Sequence, residues 1–279
     1  MVLLDQKRAV VAGVANRMSI AWGIAQALHE QGADIAFLCL ESNLRRVRKL
    51  AKELGSEIVI PCDVQKDDNI INAFQQISDA FDGRLDILVH SIAYARIGDL
   101  GGEFIKVTRD GWNLAMDIST YSQVAFANYA RPLMIASGGG SIITLTFAGG
   151  EKVVPGYNIM GVAKAALNMS VKYLAYDLGP DGIRVNSIGP GPVKTLSSMM
   201  VEDFDNALTL VGDNSPLVRN ITIEDVNGAA VFLASDLSSG ITGLIMKVSG
   251  GMDIVLAPSI PHPALKRFPN RKKPAERGG

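Results

Sequence analysis

The 279 residues are 48 % hydrophobic, enough apolar surface for one large core and too much for a disordered chain. The 27 Lys and Arg residues against 28 Asp and Glu leave a formal charge of −1, which removes the usual basis for a nucleic-acid partner. Cys39 and Cys62 are the only cysteines, each in an apolar stretch, which predicts two buried thiols in a reducing compartment rather than a disulfide.

Met1 to Gln31 has no charged segment leading into a signal-type apolar run, and no stretch reaches membrane-spanning length, so no membrane partner and a cytoplasmic location are expected. In chain order, a strand at Arg8 to Ala12 precedes a helix at Ile20 to Gln31, and a strand at Asp34 to Cys39 precedes a helix at Asn43 to Leu54. The alternation continues with strand Glu57 to Ile60 and helix Asn69 to Phe81, then strand Ile87 to His90 and one long helix Asp110 to Ile135. Strand Ser141 to Leu145, helix Asn158 to Leu178, strand Arg184 to Ile188, helix Ile223 to Ala234 and strand Leu244 to Val248 complete it. Helices are expected to stop at Gly32, Gly55, Gly83 and Gly179, where a left-handed cap is easiest for glycine. A parallel sheet covered on both faces follows from this order. The expected fold is one α/β Rossmann-type, doubly wound domain over 1–257 with a seven-stranded parallel sheet, and 258–279, rich in proline and cations, is expected to be a flexible tail.

The first strand runs into a glycine-bearing turn, Gly13 to Gly23, that opens a helix. Gly13 permits a tight turn, and Ser19, Ile20 and Ala21 bring backbone N–H groups and a helix N-terminus toward phosphate oxygens. The match to G-x-G-x-x-G is poor, so the reading leans on three further strand ends. Leu40-Glu41 supplies an acceptor for adenosine-ribose hydroxyls and favours NADH, whereas Arg45 and Arg46 keep NADPH as the alternative. Cys62-Asp63-Val64 offers a carboxylate and an N–H to adenine, unless Asp63 only caps a helix. His90-Ser91-Ile92-Ala93 suits a nicotinamide-ribose wall. No metal is expected.

After the fifth strand, Tyr157 and Lys164 lie seven positions apart, about two helical turns, and share a face. A lysine there can hold ribose hydroxyls and lower the tyrosine pKa, while the phenol donates to a developing oxyanion. With the Gly13 to Gly23 loop, His90 to Ala93 and Gly189 to Thr195, this pair resembles the short-chain dehydrogenase/reductase superfamily and, within it, the NADH-dependent enoyl-acyl carrier protein reductases. The resemblance covers Leu3 to Ile254. Six residues between tyrosine and lysine, rather than three, set that subfamily apart, moving the phenol about 4.5 Å along the helix. Conjugate hydride addition leaves charge on an oxygen two carbons from the attacked centre, which gives the displacement a reason.

The resemblance implies reduction of an enoyl thioester carried by acyl carrier protein, with Tyr157 stabilising the enolate and Lys164 holding the cofactor ribose. It places Phe147, Ala93 and Met160 at the substrate, Val193 and Thr195 at the cofactor, and a closing substrate loop over Leu196 to Leu210. It also implies a homotetramer, with the two long helices as interface elements. Three features depart from the family pattern, the first being Ser249-Gly250-Gly251 in place of an aspartate-glycine pair after the last strand. Phe147 replaces a second tyrosine found in many members. The acidic Glu202-Asp203-Phe204-Asp205 segment replaces cations that meet an acidic carrier, so a coenzyme A thioester or another enone or ketone stays open as substrate. A dinucleotide-binding protein without turnover is the reading from a different class.

Overall fold

Runs of Val, Ile, Leu and Ala that are apolar toward both faces need cover on both sides, and they pair here as parallel strands. In the computed structural model, which describes residues 2–195, 198 and 204–255, these are β1 Arg8–Ala12, β2 Asp34–Cys39, β3 Val59–Pro61, β4 Ile87–His90, β5 Gly140–Leu145, β6 Ile183–Pro190 and β7 Ile245–Val248. They form one seven-stranded sheet in the order β3-β2-β1-β4-β5-β6-β7. Helices α1 Ile20–Glu30, α2 Leu44–Ala51 and α3 Asp67–Ala80 follow the first three strands. Helices α4 Arg109–Met116 and α5 Ser122–Ala136 link β4 to β5, α6 Asn158–Leu178 links β5 to β6, and α7 Phe204–Asn214 and α8 Ile223–Ala234 precede β7. The expected single Rossmann-type domain is present.

Successive strand residues point to opposite faces, so the sheet feeds two cores. Val11, Phe37 and Ile143 pack under α1, α2 and α8 through Trp22, Leu28, Leu50 and Leu233. Val10, Leu38 and Ile142 pack under α3, α5 and α6 through Ile70, Phe126 and Val171. A fully buried Phe37 or Phe126 contributes about 1.5–3 kcal/mol. Cys39 and Cys62 fall in different cores and are free thiols, and burial pushes their pKa values up to about 11 and about 12.

Four expectations change. The strand expected at Glu57 to Ile60 begins at Val59: Ser56 Oγ donates to Ile35 O and accepts from Ile58 N, turning that N–H away from the ladder while Ile58 O still accepts from Phe37 N. The long helix of Asp110 to Ile135 is broken by a π turn, Asp117–Tyr121. Gly32, Gly55 and Gly83 are left-handed stops, but Gly179 stays helical at φ −55 and the stop comes at Gly182, φ 72, after one 3-10 turn. Part of the expected substrate loop, from Phe204, is helix α7, while 196, 197, 199–203 and the expected tail 258–279 lie outside the described residues.

The sheet also decides where a ligand can sit. From β1 the chain steps outward to β2, and from β4 it steps the other way to β5. The connections diverge there, leaving a crevice at the C-terminal ends of β1 and β4.

Candidate active site

The crevice floor is backbone. Gly13 has φ +101, and a Cβ on it would lie 2.0 Å from Ser91 O, so any side chain would collide with the end of β4. Ser19 is the N-cap residue of α1, yet its Oγ turns back to accept from Ala15 N and Asn16 N at 3.2 and 3.0 Å. The N–H groups of Ile20 and Ala21, in the first turn of α1, have no preceding helical carbonyl to bond, which is the arrangement that receives an anion. Ser91, Ile92 and Ala93 continue from β4 beside this turn, with Ile92 packed on the α3/α5 core.

The residues expected at adenosine spread over the next strands. Leu40 is half exposed at the end of β2, and Glu41 beside it is exposed. Arg46 of α2 reaches back so that Nη1 donates to Ala15 O at 3.1 Å. Val64 is buried. Asp63 does not cap α3, whose N-cap is Lys66; its Oδ1 accepts from Gln65 N in a local turn at 3.2 Å. Asp63 instead borders a pocket of 260 Å³ with Glu41, Pro61, Cys62, Asn69, Asn72 and Gln76. Carboxylates and amides on that rim can pair with both donors and acceptors, as an adenine edge requires.

At the other end, Tyr157 stands immediately before α6, and Lys164 lies two turns further on. Two glycine-enabled contacts seat the tyrosine: a Cβ on Gly149 would lie 2.6 Å from its ring, and one on Gly161 would lie 2.8 Å from Gly149 O. Phe147 packs edge-on against the same ring, with centroids 5.0 Å apart. Asn158 adopts φ 25 and its Nδ2 donates to Gly101 O and Gly102 O, tying the start of α6 to a neighbouring loop. Lys164 Nζ donates to Leu145 O at 2.6 Å and is buried, which brings its pKa down to about 8. Burial raises the Tyr157 pKa, so the expected lowering by Lys164 does not occur and the phenol stays a proton-bearing donor. Met160 is buried one turn beyond Tyr157.

Sequence reasoning placed His90 at a strand end, in the stretch His90 to Ala93 expected to wall the nicotinamide ribose, and gave its side chain no role of its own. It is fully buried, with Nε2 2.8 Å from Ser122 Oγ and Nδ1 3.1 Å from Thr144 Oγ1. Ser122 Oγ also donates to Ile118 O, and Thr144 Oγ1 to His90 O, so a hydroxyl anchored to backbone faces each ring nitrogen. Burial, aided by the Lys164 charge, pulls the His90 pKa down to about 3 and keeps it neutral. A histidine inside an otherwise apolar strand was the available signal. Ser198 was also missed: its Oγ donates to Val193 O and its N–H to Thr195 Oγ1, closing the turn that carries Val193 and Thr195.

The residues fit a nicotinamide dinucleotide along the strand ends. Thr146 Oγ1, next to the Leu145 carbonyl that holds Lys164, is buried without a hydrogen-bond partner among the described residues, the kind of group a bound ligand satisfies. Comparison with known proteins agrees. A family model described as enoyl-(acyl carrier protein) reductase matches residues 13–253. The chain is 48 % identical over 258 residues to the NADH-dependent enoyl-acyl-carrier-protein reductase FabI of Bacillus cereus, covering 91 % of this chain and 100 % of that one. It is 46 % identical over 259 residues to the corresponding Nostoc protein, covering 91 % and 99 %. Among solved structures, the Anaplasma phagocytophilum reductase in complex with NAD is 46 % identical at a TM-score of 0.87, with 91 % of this chain and 96 % of that one covered. The Bacillus cereus reductase with NADP+ and an indole naphthyridinone is 47 % identical at a TM-score of 0.88, with coverage of 91 % and 99 %. Sheet order, crevice, tyrosine–lysine spacing and these likenesses converge: the chain belongs to the enoyl-(acyl carrier protein) reductase family.

Proposed function

We propose that this chain reduces the 2,3 double bond of an enoyl thioester on acyl carrier protein, with NADH as cofactor, in fatty-acid elongation. The observation that carries this reading is the Tyr157–Lys164 pair, half-buried phenol and buried ammonium, on the strand-5 side of a dinucleotide crevice. NADH supplies the hydride that adds to the β-carbon. Tyr157, kept protonated by burial, donates to the enolate oxygen, and a preorganised donor in a dry site is worth far more than one in water. Lys164 holds the nicotinamide ribose, the N–H groups of Ile20 and Ala21 receive the pyrophosphate, and Asp63 and Val64 meet adenine. Gly13, Ser19, Leu40, Ser91, Ile92, Val193 and Thr195 complete the cofactor site. Phe147, Ala93 and Met160 line the substrate, where Phe147 gives the thioester an apolar wall.

NADPH is the alternative cofactor. Arg46 beside the dinucleotide turn supplies a cation for a 2′-phosphate, and a related structure contains NADP+. The 196–210 segment acts as the substrate lid. Assembly as a homotetramer is supported by the outward apolar side chains Met169, Tyr173 and Tyr176 on α6 and Val124 and Ile135 on α5, a surface suited to a second copy. No helix among the described residues is long and apolar enough to cross a membrane.

The test is oxidation of NADH and of NADPH over enoyl thioesters of acyl carrier protein and of coenzyme A at increasing chain length. Turnover of the thioesters supports the reading, and turnover of simple ketones alone overturns it. Faster turnover of coenzyme A than of carrier-protein thioesters identifies the consequence of the acidic Asp205 segment.

A further inference from the structure

Between α4 and α5 the chain passes through the π turn Asp117–Tyr121, Asp-Ile-Ser-Thr-Tyr, with no proline or glycine to force it. Such turns are rare and recur at functional sites. Buried hydroxyls leave this one toward different walls. Ser119 Oγ accepts from Tyr94 N at 2.9 Å, donates to Tyr94 O at 3.1 Å and lies 3.7 Å from Met160 Sδ. Thr120 Oγ1 donates to Ala163 O at 2.9 Å, one residue before Lys164. Ser122, at the exit of the turn, receives His90. Ser119 and Ser122 are fully buried, and Thr120 is nearly so.

The placement matters because Tyr94 belongs to an irregular segment that no strand or helix ladder supports. One serine hydroxyl bonds both its N–H and its carbonyl, so a single buried side chain holds the backbone of a residue whose own side chain is half exposed. The same hydroxyl touches Met160, so it joins Tyr94, the neighbour of Ala93, to the Met160 side of the proposed substrate pocket. Adjacent helical residues point about 100° apart, so Thr120 reaches the catalytic helix while Ser119 reaches the pocket.

We propose that the π turn is the positioning element of this active site: Ser119 fixes the Tyr94–Met160 wall against which the acyl chain lies, and Thr120 fixes the α6 backbone that carries Lys164. The proposal rests on the reductase reading above. Neither residue touches the reacting atoms, so each acts through its neighbour.

Steady-state kinetics on the full chain tests it, with melting temperature recorded for every variant. Ser119→Ala is expected to raise KM for the enoyl thioester about tenfold and to leave KM for NADH within about twofold. Thr120→Val, which keeps the shape and removes the hydroxyl, is expected to do the converse, and Thr120→Ser to restore wild-type values. Should Ser119→Ala be recovered unfolded, Ser119→Cys is measured under the same criteria. Parallel losses for both substrates that track melting temperature, or no change in either KM, overturn the proposal and leave the reductase reading standing. A wild-type chain inactive on every enoyl thioester overturns both.

Discussion

The two ends of the crevice are built from different materials. At the cofactor turn, Gly13 brings one backbone against another, and the polar groups facing the ligand are N–H groups of the chain itself. At the catalytic end the site is made of side chains: Lys164 on Leu145 O, His90 between Ser122 and Thr144, Tyr157 against Phe147. A backbone-built site tolerates most changes of side chain but none that adds a Cβ at the close approach. A side-chain-built site responds to the loss of single hydroxyls and to pH.

Substitution at the catalytic phenol probes that difference most severely. Tyr157→Phe removes one oxyanion donor and is expected to lower kcat about 10²–10³-fold with KM for NADH little changed, measured by NADH absorbance. A loss under about tenfold would take the enolate role away from the phenol. At the other end, Gly13→Ala should destabilise the fold by about 2–4 kcal/mol and abolish measurable NADH binding, read by urea unfolding and by fluorescence titration. Normal cofactor affinity in that variant would mean that β1 and β4 can separate at their ends.

The titrations sharpen the contrast: burial raises the thiols Cys39 and Cys62 on the cofactor side and keeps them neutral, whereas at the catalytic end it lowers the bases His90 and Lys164. His90 is neutral in the fold, with a pKa of about 3 against 6.5 when free. Between those values the unfolded chain takes up a proton that the folded chain refuses, so this contribution to stability is lost as pH falls from 6.5 toward 3. Wild type should therefore lose a few kcal/mol more than His90→Gln over that interval, a difference read from paired urea titrations. A parallel pH dependence in both proteins would mean that the buried imidazole accepts the proton in place.

Lys164 gives the smallest effect. Its pKa is about 8 in the fold and 10.5 when free, so the penalty of burying its charge is fully present below 8 and is relieved as pH rises toward 10.5. Stability gains over that window while the ammonium that would hold the ribose is lost. NADH affinity is expected to fall about tenfold per pH unit above 8, with Lys164→Met abolishing the inflection. Fluorescence titration of NADH across that range reads both, and an inflection that persists in Lys164→Met assigns it to another group.

Legibility in the sequence follows the same division. The strands Arg8 to Ala12, Asp34 to Cys39 and Ile87 to His90 and the helices Asn158 to Leu178 and Ile223 to Ala234 are readable to the residue, because period and end signals agree there. Tyr157 and Lys164 are readable because their spacing is local. The π turn is not, since Asp-Ile-Ser-Thr-Tyr carries no breaker and its hydroxyls find their partners on Tyr94 and Ala163, far away in sequence. Helix α7 is expected as loop because that expectation comes from the family resemblance and not from the residue pattern of Phe204–Asn214.

The amino-acid sequence by itself determined the alternation of strand and helix, the turn at Gly13 and the two-turn offset of Tyr157 and Lys164. These are effects of neighbours along the chain, where period, caps and backbone freedom act over a few residues. Tertiary structure alone decided that Gly13 meets Ser91, that burial holds the phenol protonated despite the lysine, and that Ser119 joins Tyr94 to Met160. Each depends on desolvation or on contact between residues remote in sequence, and neither quantity exists until the sheet has brought the strand ends together.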